Sequence, residues 1–111
     1  MIRIQYVRRG TVFQMEAQGH ANAAPRGQDL VCCGVSVLVQ SLAQRVLDMY
    51  AEGQLKDFPD AVVKPDGTRV AVRARPRTVL QVEQAFAVVL TGLRMLCRQY
   101  PGYIEIFESY P

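Results

Sequence analysis

The sequence predicts an α+β fold in which one mostly antiparallel sheet is covered by two amphipathic helices, in the chain order ββαββαβ. Short segments that alternate apolar and polar residues predict the strands, because successive side chains of a strand point to opposite faces. Two long segments with apolar residues every three or four positions predict the helices. The 111 residues fit one compact domain. We expect residues 1–111 to share a single core, with both helices on one sheet.

The first two strands are predicted to form a hairpin. Apolar and polar residues alternate over 1–7 and again over 11–18, and Arg8-Arg9-Gly10 between them favours a turn. The residues expected on the inward faces of the two strands are Ile2, Ile4, Tyr6, Phe13, Met15 and Ala17.

A long irregular segment separates this hairpin from the first helix. Residues 19–28 contain two glycines, a proline and three alanines, which indicates a mobile loop, and a loop of this length in a compact domain is usually functional. The helix is predicted over 30–52, with Asp29 as its N-cap and Gly53 just beyond its end. Its expected buried stripe consists of Val31, Val35, Leu38, Leu42, Val46 and Met49.

The rest of the chain predicts two strands, a helix and one more strand. Strands are expected over 58–63 and 69–75, joined by a turn at Pro65-Asp66-Gly67. A helix over 78–99 is expected to begin with a capping box formed by Thr78 and Gln81. The last strand is predicted over 103–108. The apolar stripe of the second helix consists of Val82, Phe86, Val89, Leu93 and Leu96.

Composition and cysteine usage exclude several classes of protein. Half of the residues are hydrophobic and 21% are charged, which is typical of a soluble globular domain. The longest stretch without a charged or amide residue begins at Leu30 and stops at Gln40, whereas a bilayer span needs about 20 residues. The first residues lack the apolar core of a signal peptide, so we expect a cytoplasmic protein with no membrane contact. Three cysteines, two of them adjacent, and a single histidine favour free thiols and no metal site, and no cofactor is expected.

The basic residues give little indication of a nucleic-acid partner. The net charge of +3 is mild, and its densest part is the arginine cluster Arg69, Arg73, Arg75 and Arg77. No aromatic residues interleave with these arginines, so a platform for base stacking is poorly supported. A solvated strand face is therefore favoured over docking onto RNA or an acidic partner, and direct RNA binding is not expected.

Cys32 combines the features that a cysteine nucleophile needs. It falls in the first turn of the predicted helix, where unpaired N–H groups and a partial positive charge favour an anion. Thiols at such positions can have a pKa lowered from about 8.5 to about 3.5–7.5, and the amides of the same turn could bind an oxyanion. His20, the only histidine, lies at the start of the loop that leads to Cys32 and could act as the general base.

Each of these residues also has a structural interpretation. A cysteine at a helix start is usually a small buried apolar residue, and a histidine beside a glycine is usually found in a turn or on the surface. Asp29 either caps the helix only or also orients His20. Ser36, one turn after Cys32, either bonds back to a helical carbonyl or contacts a substrate. Cys97 is expected in the core.

The residues around Cys32 resemble the signature of a known family. Gly19-His20-Ala21 is followed, after a loop, by Gly27-Gln28-Asp29-Leu30-Val31-Cys32. This pattern is similar to that of the ribosomal-processing cysteine protease (Prp) family, which has Gly-His-Ala, a short loop and Gly-x-Asp-Ile-Val-Cys. The segment Gln-Tyr-Pro-Gly-Tyr-Ile at 99–104 also resembles the closing segment of the family. Two positions depart from the pattern, since Leu30 replaces isoleucine and Cys33 replaces the usual alanine.

The resemblance implies an activity and a set of site residues. It makes the chain an endopeptidase that removes the N-terminal extension of a bacterial large-subunit ribosomal protein, cutting beside a pair of phenylalanines. It also implies a homodimer of mixed α/β fold without metal, in which the loop over 19–28 covers the bound peptide. The catalytic pair would be Cys32 as nucleophile and His20 as base, supported by Asp29, Ser36, Gly19 and Gly27.

Two other functions are compatible with the same residues. A non-catalytic ribosome-associated binding module, suggested by Arg69, Arg73 and Arg75, would bind ribosomes or RNA in a salt-sensitive manner. A thioesterase or acyltransferase that used Cys32 and His20 would turn over esters without cleaving peptides.

Overall fold

A computed structural model of the chain describes residues 1–19 and 29–111. The mobile loop predicted over 19–28 therefore lies, apart from Gly19, outside the described residues. In chain order the elements are β1 (Ile2–Arg9), β2 (Val12–Gln18), α1 (Leu30–Ala51), β3 (Asp60–Lys64), β4 (Gly67–Arg73), a 3₁₀ turn (Pro76–Thr78), α2 (Val79–Gln99) and β5 (Ile104–Ser109).

The five strands form one sheet in the order β3-β4-β2-β1-β5. Three neighbouring pairs are antiparallel, and β1 pairs in parallel with β5. All six residues predicted to face inward from β1 and β2 are buried, because the alternation in the sequence follows the pleat of each strand. The α+β prediction, with a mostly antiparallel sheet and the order ββαββαβ, is confirmed.

The first hairpin turns later than the sequence suggested. Arg8 and Arg9 belong to β1, and Arg9 lies opposite Val12 across the hairpin, so Arg8-Arg9-Gly10 is not the turn. Only Gly10 and Thr11 connect the strands, and Gly10 has a φ of 58°. Glycine suits this left-handed position because it has no Cβ to clash with the backbone.

The two helices approach each other closely through reciprocal glycine–leucine contacts. A Cβ placed on Gly34 of α1 would lie 2.8 Å from Leu96 Cδ1, and one placed on Gly92 of α2 would lie 2.8 Å from Leu38 Cδ2. These pairings make the helices antiparallel. Leu38 and Leu96, which the sequence placed in the buried stripes, are only partly buried, and each packs against a glycine of the facing helix. The other stripe residues are buried.

The start of α2 differs from the predicted capping box. The Thr78 hydroxyl does not cap α2. It accepts a hydrogen bond from the Arg75 amide at 3.1 Å and donates one to the Gln54 carbonyl at 2.7 Å. The side chain thus ties the helix start to the loop after α1, a tertiary contact that outweighs the local motif.

The strand predicted over 58–63 begins two residues later, at Asp60. Phe58 lies before it and is 67% exposed. Its ring packs edge-on against Tyr50 at the end of α1, with the ring centroids 5.1 Å apart. Phe58 thus contacts the end of α1 and lies outside the sheet.

By length and composition, α1 and the segment 76–99 could each cross a membrane, a test that the core helices of soluble proteins also pass. Both helices bury apolar residues within the single core cluster, including Val31 and Val46 of α1 and Phe86 and Leu93 of α2. Burial in the core accounts for the apolar residues on the inward face of each helix.

The last strand is fastened to α2 by an ion pair. Arg94 Nε donates to Glu108 Oε2 at 3.2 Å, and Arg94 Nη2 donates to Glu108 Oε1. The hydrogen bond from this guanidinium, followed by one from the Tyr110 hydroxyl, lowers the pKa of Glu108 below its usual range. β5 is therefore held from one side by the sheet and from the other by α2.

Candidate functional site

Cys32 lies in the first turn of α1, three residues after the N-cap Asp29. The Cys32 amide donates to Asp29 Oδ1 at 3.1 Å, and the Cys33 amide donates to the Asp29 carbonyl at 3.1 Å. The predicted N-cap is confirmed. Since both amides are engaged, the N–H groups of Leu30 and Val31 remain as the first-turn donors with no intrahelical acceptor.

The Cys32 side chain is partly buried and lines a cleft of about 360 Å³. Buried side chains of Ile2, Val35 and Val39 contribute apolar surface to this cleft. Polar groups come from two directions: Ser36 and Gln40 from α1, and the turn between β3 and β4. Among the described residues, the lining there includes Lys64 at the end of β3, Pro65 and Asp66 of the turn, and Gly67 at the start of β4. A cleft with apolar surface and polar residues on both sides suits an extended peptide.

Gly19 brings the end of β2 into the same cleft. It lines the cleft together with Cys32, and its amide donates to the Asp66 carbonyl at 3.1 Å. Its φ is +95°, and a Cβ at this position would collide with the Met1 carbonyl oxygen. Both the backbone conformation and the lack of space require glycine here, so the residue directly before His20 is fixed at the cleft.

The structure brings some of the sequence-predicted residues together. Ser36 is exposed and lines the cleft together with Cys32 and Gly19. Asp29 is the N-cap of the helix that carries Cys32 and Ser36. Within the described part of the chain its hydroxyl makes no hydrogen bond, unlike that of Ser41, which donates to the Val37 carbonyl. The predicted base His20 and the supporting Gly27 lie outside the described residues.

The three cysteines differ in their surroundings, and all three are free thiols. Cys33 is exposed and does not share the cleft lining with Cys32. Cys97 is partly buried and packs against the core, in agreement with its predicted position. Its thiol donates to the Ile104 carbonyl at 3.4 Å. Over residues 1–19 and 29–111, no group of three His, Cys, Asp or Glu side chains could hold a metal ion.

The arginine cluster is largely engaged within the chain. Arg69 Nε lies 3.0 Å from Asp60 Oδ2, and Arg73 Nε lies 3.5 Å from Asp57 Oδ2. Arg75 Nε donates to the Gly53 carbonyl at 3.0 Å. Two carboxylates therefore each lie against one arginine of the cluster, and the expected lack of direct RNA binding stays a prediction.

The sequence did not single out several residues of the cleft. Gln40 follows Cys32 by two helical turns, and this spacing alone could have placed it on the same side of α1 as the thiol. Lys64 and Asp66 lie more than thirty positions after Cys32, at the connection between β3 and β4. No local pattern connects that turn to α1, because the two meet only when the sheet forms under the helix.

Solved structures share this fold over nearly the whole chain. An essential ribosomal processing protease, Prp, from S. aureus, with a covalently linked product peptide, superposes with a TM-score of 0.71 at 20% identity, covering 97% of this chain and 99% of that one. A Streptococcus mutans protein gives a TM-score of 0.70 at 20% identity, covering 100% and 96%. Prp from S. aureus with a substrate peptide gives 0.66 at 18% identity, covering 97% and 99%. At these identities the likeness establishes the fold.

The family itself follows from the sequence comparison. No curated protein matches the chain significantly. The model of the family described as cysteine protease Prp matches residues 1–105, which include both strands of the first hairpin, the Cys32 helix and the turn that completes the cleft. The chain therefore belongs to the cysteine protease Prp family.

Proposed function

We propose that this protein is a cysteine endopeptidase that removes the N-terminal extension of a bacterial large-subunit ribosomal protein, with Cys32 as nucleophile and His20 as general base. The observation that carries the proposal is the partly exposed Cys32 at the start of α1, in a cleft that Gly19 also lines. Gly19 directly precedes His20, which supports an imidazole within reach of the thiol. A structure of Prp from S. aureus with a substrate peptide supports a peptide as substrate.

The chemistry follows that of other thiol proteases. His20 takes the proton of the Cys32 thiol, and the thiolate attacks the carbonyl carbon of the scissile peptide bond. The oxyanion that forms is stabilised by the positive end of the α1 dipole, at whose N-terminus Cys32 lies. The imidazolium then gives its proton to the leaving amine. Water, deprotonated by the same imidazole, hydrolyses the thioester and restores the thiol.

The experiment that tests this function uses the ribosomal protein of the same genome. Its precursor is incubated with wild-type protein and with Cys32→Ala, and the masses of the products are measured. We expect the wild type to shorten the precursor at one bond beside the paired phenylalanines and Cys32→Ala to leave it intact. Processing by Cys32→Ala, or ester turnover by the wild type without any peptide cleavage, would contradict the proposal.

Asp29 offers a test of its own, since its two interpretations differ in the charge they need. We propose that it acts as the N-cap, because its carboxylate already accepts the Cys32 amide. Asp29→Asn keeps a good capping acceptor and should retain most activity, whereas Asp29→Ala should lower the free energy of unfolding by about 1 kcal/mol. Denaturant unfolding and peptide cleavage measure the two effects. A fall of about 10⁴-fold for Asp29→Asn, as when an acid that orients a catalytic histidine is lost, would instead assign it to His20.

We further propose that the protein acts in the cytoplasm as a homodimer, without a cofactor, as the family resemblance implies. Exposed apolar side chains on the outer surfaces of the two helices support an interface there: Val37 is 62%, Val88 67% and Met95 49% exposed. Apolar side chains grouped on a surface favour association. Sedimentation equilibrium should give the mass of two chains, and a concentration-independent mass of one chain would exclude the dimer.

A further inference from the structure

The amide of Gln40 is a polar group of the cleft that the proposed chemistry leaves unused. Its side chain is exposed and lines the cleft together with Cys32 and Ser36. It makes no hydrogen bond to any residue of the described chain. A glutamine amide carries two donor hydrogens and one acceptor oxygen, so the full hydrogen-bonding capacity of Gln40 is available to a bound molecule.

The position of Gln40 relative to the thiol defines a distance. Cys32, Ser36 and Gln40 follow at intervals of four residues and therefore lie along one side of α1. At 1.5 Å per residue, the Cα atoms of Cys32 and Gln40 are about 12 Å apart along the helix axis. An extended peptide advances about 3.3 Å per residue, so this span corresponds to three or four residues of a substrate.

The cleft has a second margin, formed at the connection between β3 and β4. The turn residues Lys64, Pro65 and Asp66 line the cleft across from α1, and the buried Val35 and Val39 lie between the polar positions of the helix. An extended peptide bound there would alternate its side chains between the apolar surface and the polar margin. Gln40 would contact the peptide only at residues some distance from the scissile bond.

We propose that Gln40 is a specificity-determining residue that hydrogen-bonds an amide or hydroxyl side chain of the substrate three or four positions from the scissile bond. This inference rests on the proposed peptidase function and extends it from the reacting bond to the flanking sequence. Gln40 selects among peptides and takes no part in the chemical step, because about 12 Å along the helix axis separates it from Cys32.

The test uses quenched fluorescent peptides with a central Phe-Phe pair, alanine elsewhere and a single glutamine moved outward from the cut on either side. The wild type should have its highest kcat/KM with glutamine at the third or fourth position on one side. Gln40→Ala should abolish this preference, a loss of about three- to tenfold carried by KM, as expected for one neutral hydrogen bond. Cleavage of peptides truncated before that position should be unchanged.

A charge-altered variant and a matched control separate recognition from a structural effect. Gln40→Glu should shift the preference at the same position towards lysine or arginine, which a merely structural residue would not do. Gln44→Ala should behave as the wild type, because Gln44 is exposed one turn further along α1, bonds to Asp48 and does not line the cleft.

Three results would overturn the inference. One is an equal ranking of all peptides by wild type and Gln40→Ala, and another is a Gln40-dependent preference located next to the cut. If the wild type cleaves none of the peptides, the peptidase proposal fails and this inference fails with it. Cleavage without a Gln40 effect refutes only the inference.

Discussion

Replacing either Cys32 or His20 with alanine is expected to reduce cleavage of the extension peptide by about 10⁴-fold or more. The reason is that the sulfur supplies the bond to the substrate and the imidazole moves the proton, so neither group is useful without the other. For the same reason the double variant should be no slower than the worse of the two single variants. Initial rates with a quenched peptide measure all three.

Cys33 provides the matched control for this experiment. It is adjacent to Cys32 but exposed and absent from the cleft lining, so Cys33→Ala should keep the wild-type rate. Iodoacetamide should inactivate the protein at the rate at which it alkylates Cys32. Peptide mass mapping measures that alkylation. The Tm of Cys32→Ala should stay close to that of the wild type, because the hydrogen bond to the cap residue Asp29 comes from the backbone amide of residue 32, which alanine keeps. Full activity in Cys32→Ala, or loss of activity in Cys33→Ala alone, would move the nucleophile elsewhere.

The largest effect on stability is expected at Phe86, in the middle of α2. Its side chain is fully buried, and its ring lies 5.6 Å from that of Phe13 and 5.9 Å from that of Tyr6, measured between centroids. Phe86→Ala removes these contacts and leaves a cavity that the sheet cannot close. Such a change costs about 3–5 kcal/mol, a large part of the roughly 5–15 kcal/mol by which domains are stable.

Differential scanning calorimetry or chemical denaturation measures this loss. Phe86→Ala should lower the Tm by more than about 10 °C, while Gln84→Ala, at an exposed position of the same helix, should change stability by less than about 0.5 kcal/mol. Similar stabilities for the two variants would mean that the core does not depend on the aromatic cluster.

The strands and helices were predictable because each buries one face, and the apolar residues of that face recur in the sequence with the period of a strand or of a helix. Ile2, Ile4 and Tyr6 alternate, and all three are buried as expected. Departures occur where contacts distant in sequence decide the outcome. Thr78 bonds to Gln54, which lies on the far side of a hairpin. Leu38 packs on Gly92, a pairing that no helical period encodes.

The candidate site was predictable to a similar degree. Cys32 and its cap Asp29 lie within four residues, so the local signal was sufficient. The opposite side of the cleft was not predictable, since Lys64 and Asp66 reach α1 only through the order of the strands. The pairing of His20 with Cys32 remains a prediction that the variants above test.

The pairing of β1 with β5 has a consequence for the time at which the protein becomes competent. Ile2 lies opposite Ile104, and its amide donates to the Tyr103 carbonyl at 3.0 Å. Ile2 also lines the cleft, and the neighbouring Met1 carbonyl abuts Gly19. A contact that joins such distant positions forms late, because closing a long loop is slow. The cleft is therefore expected to be completed late in folding, after β5 has paired with β1 and fixed Ile2 in place.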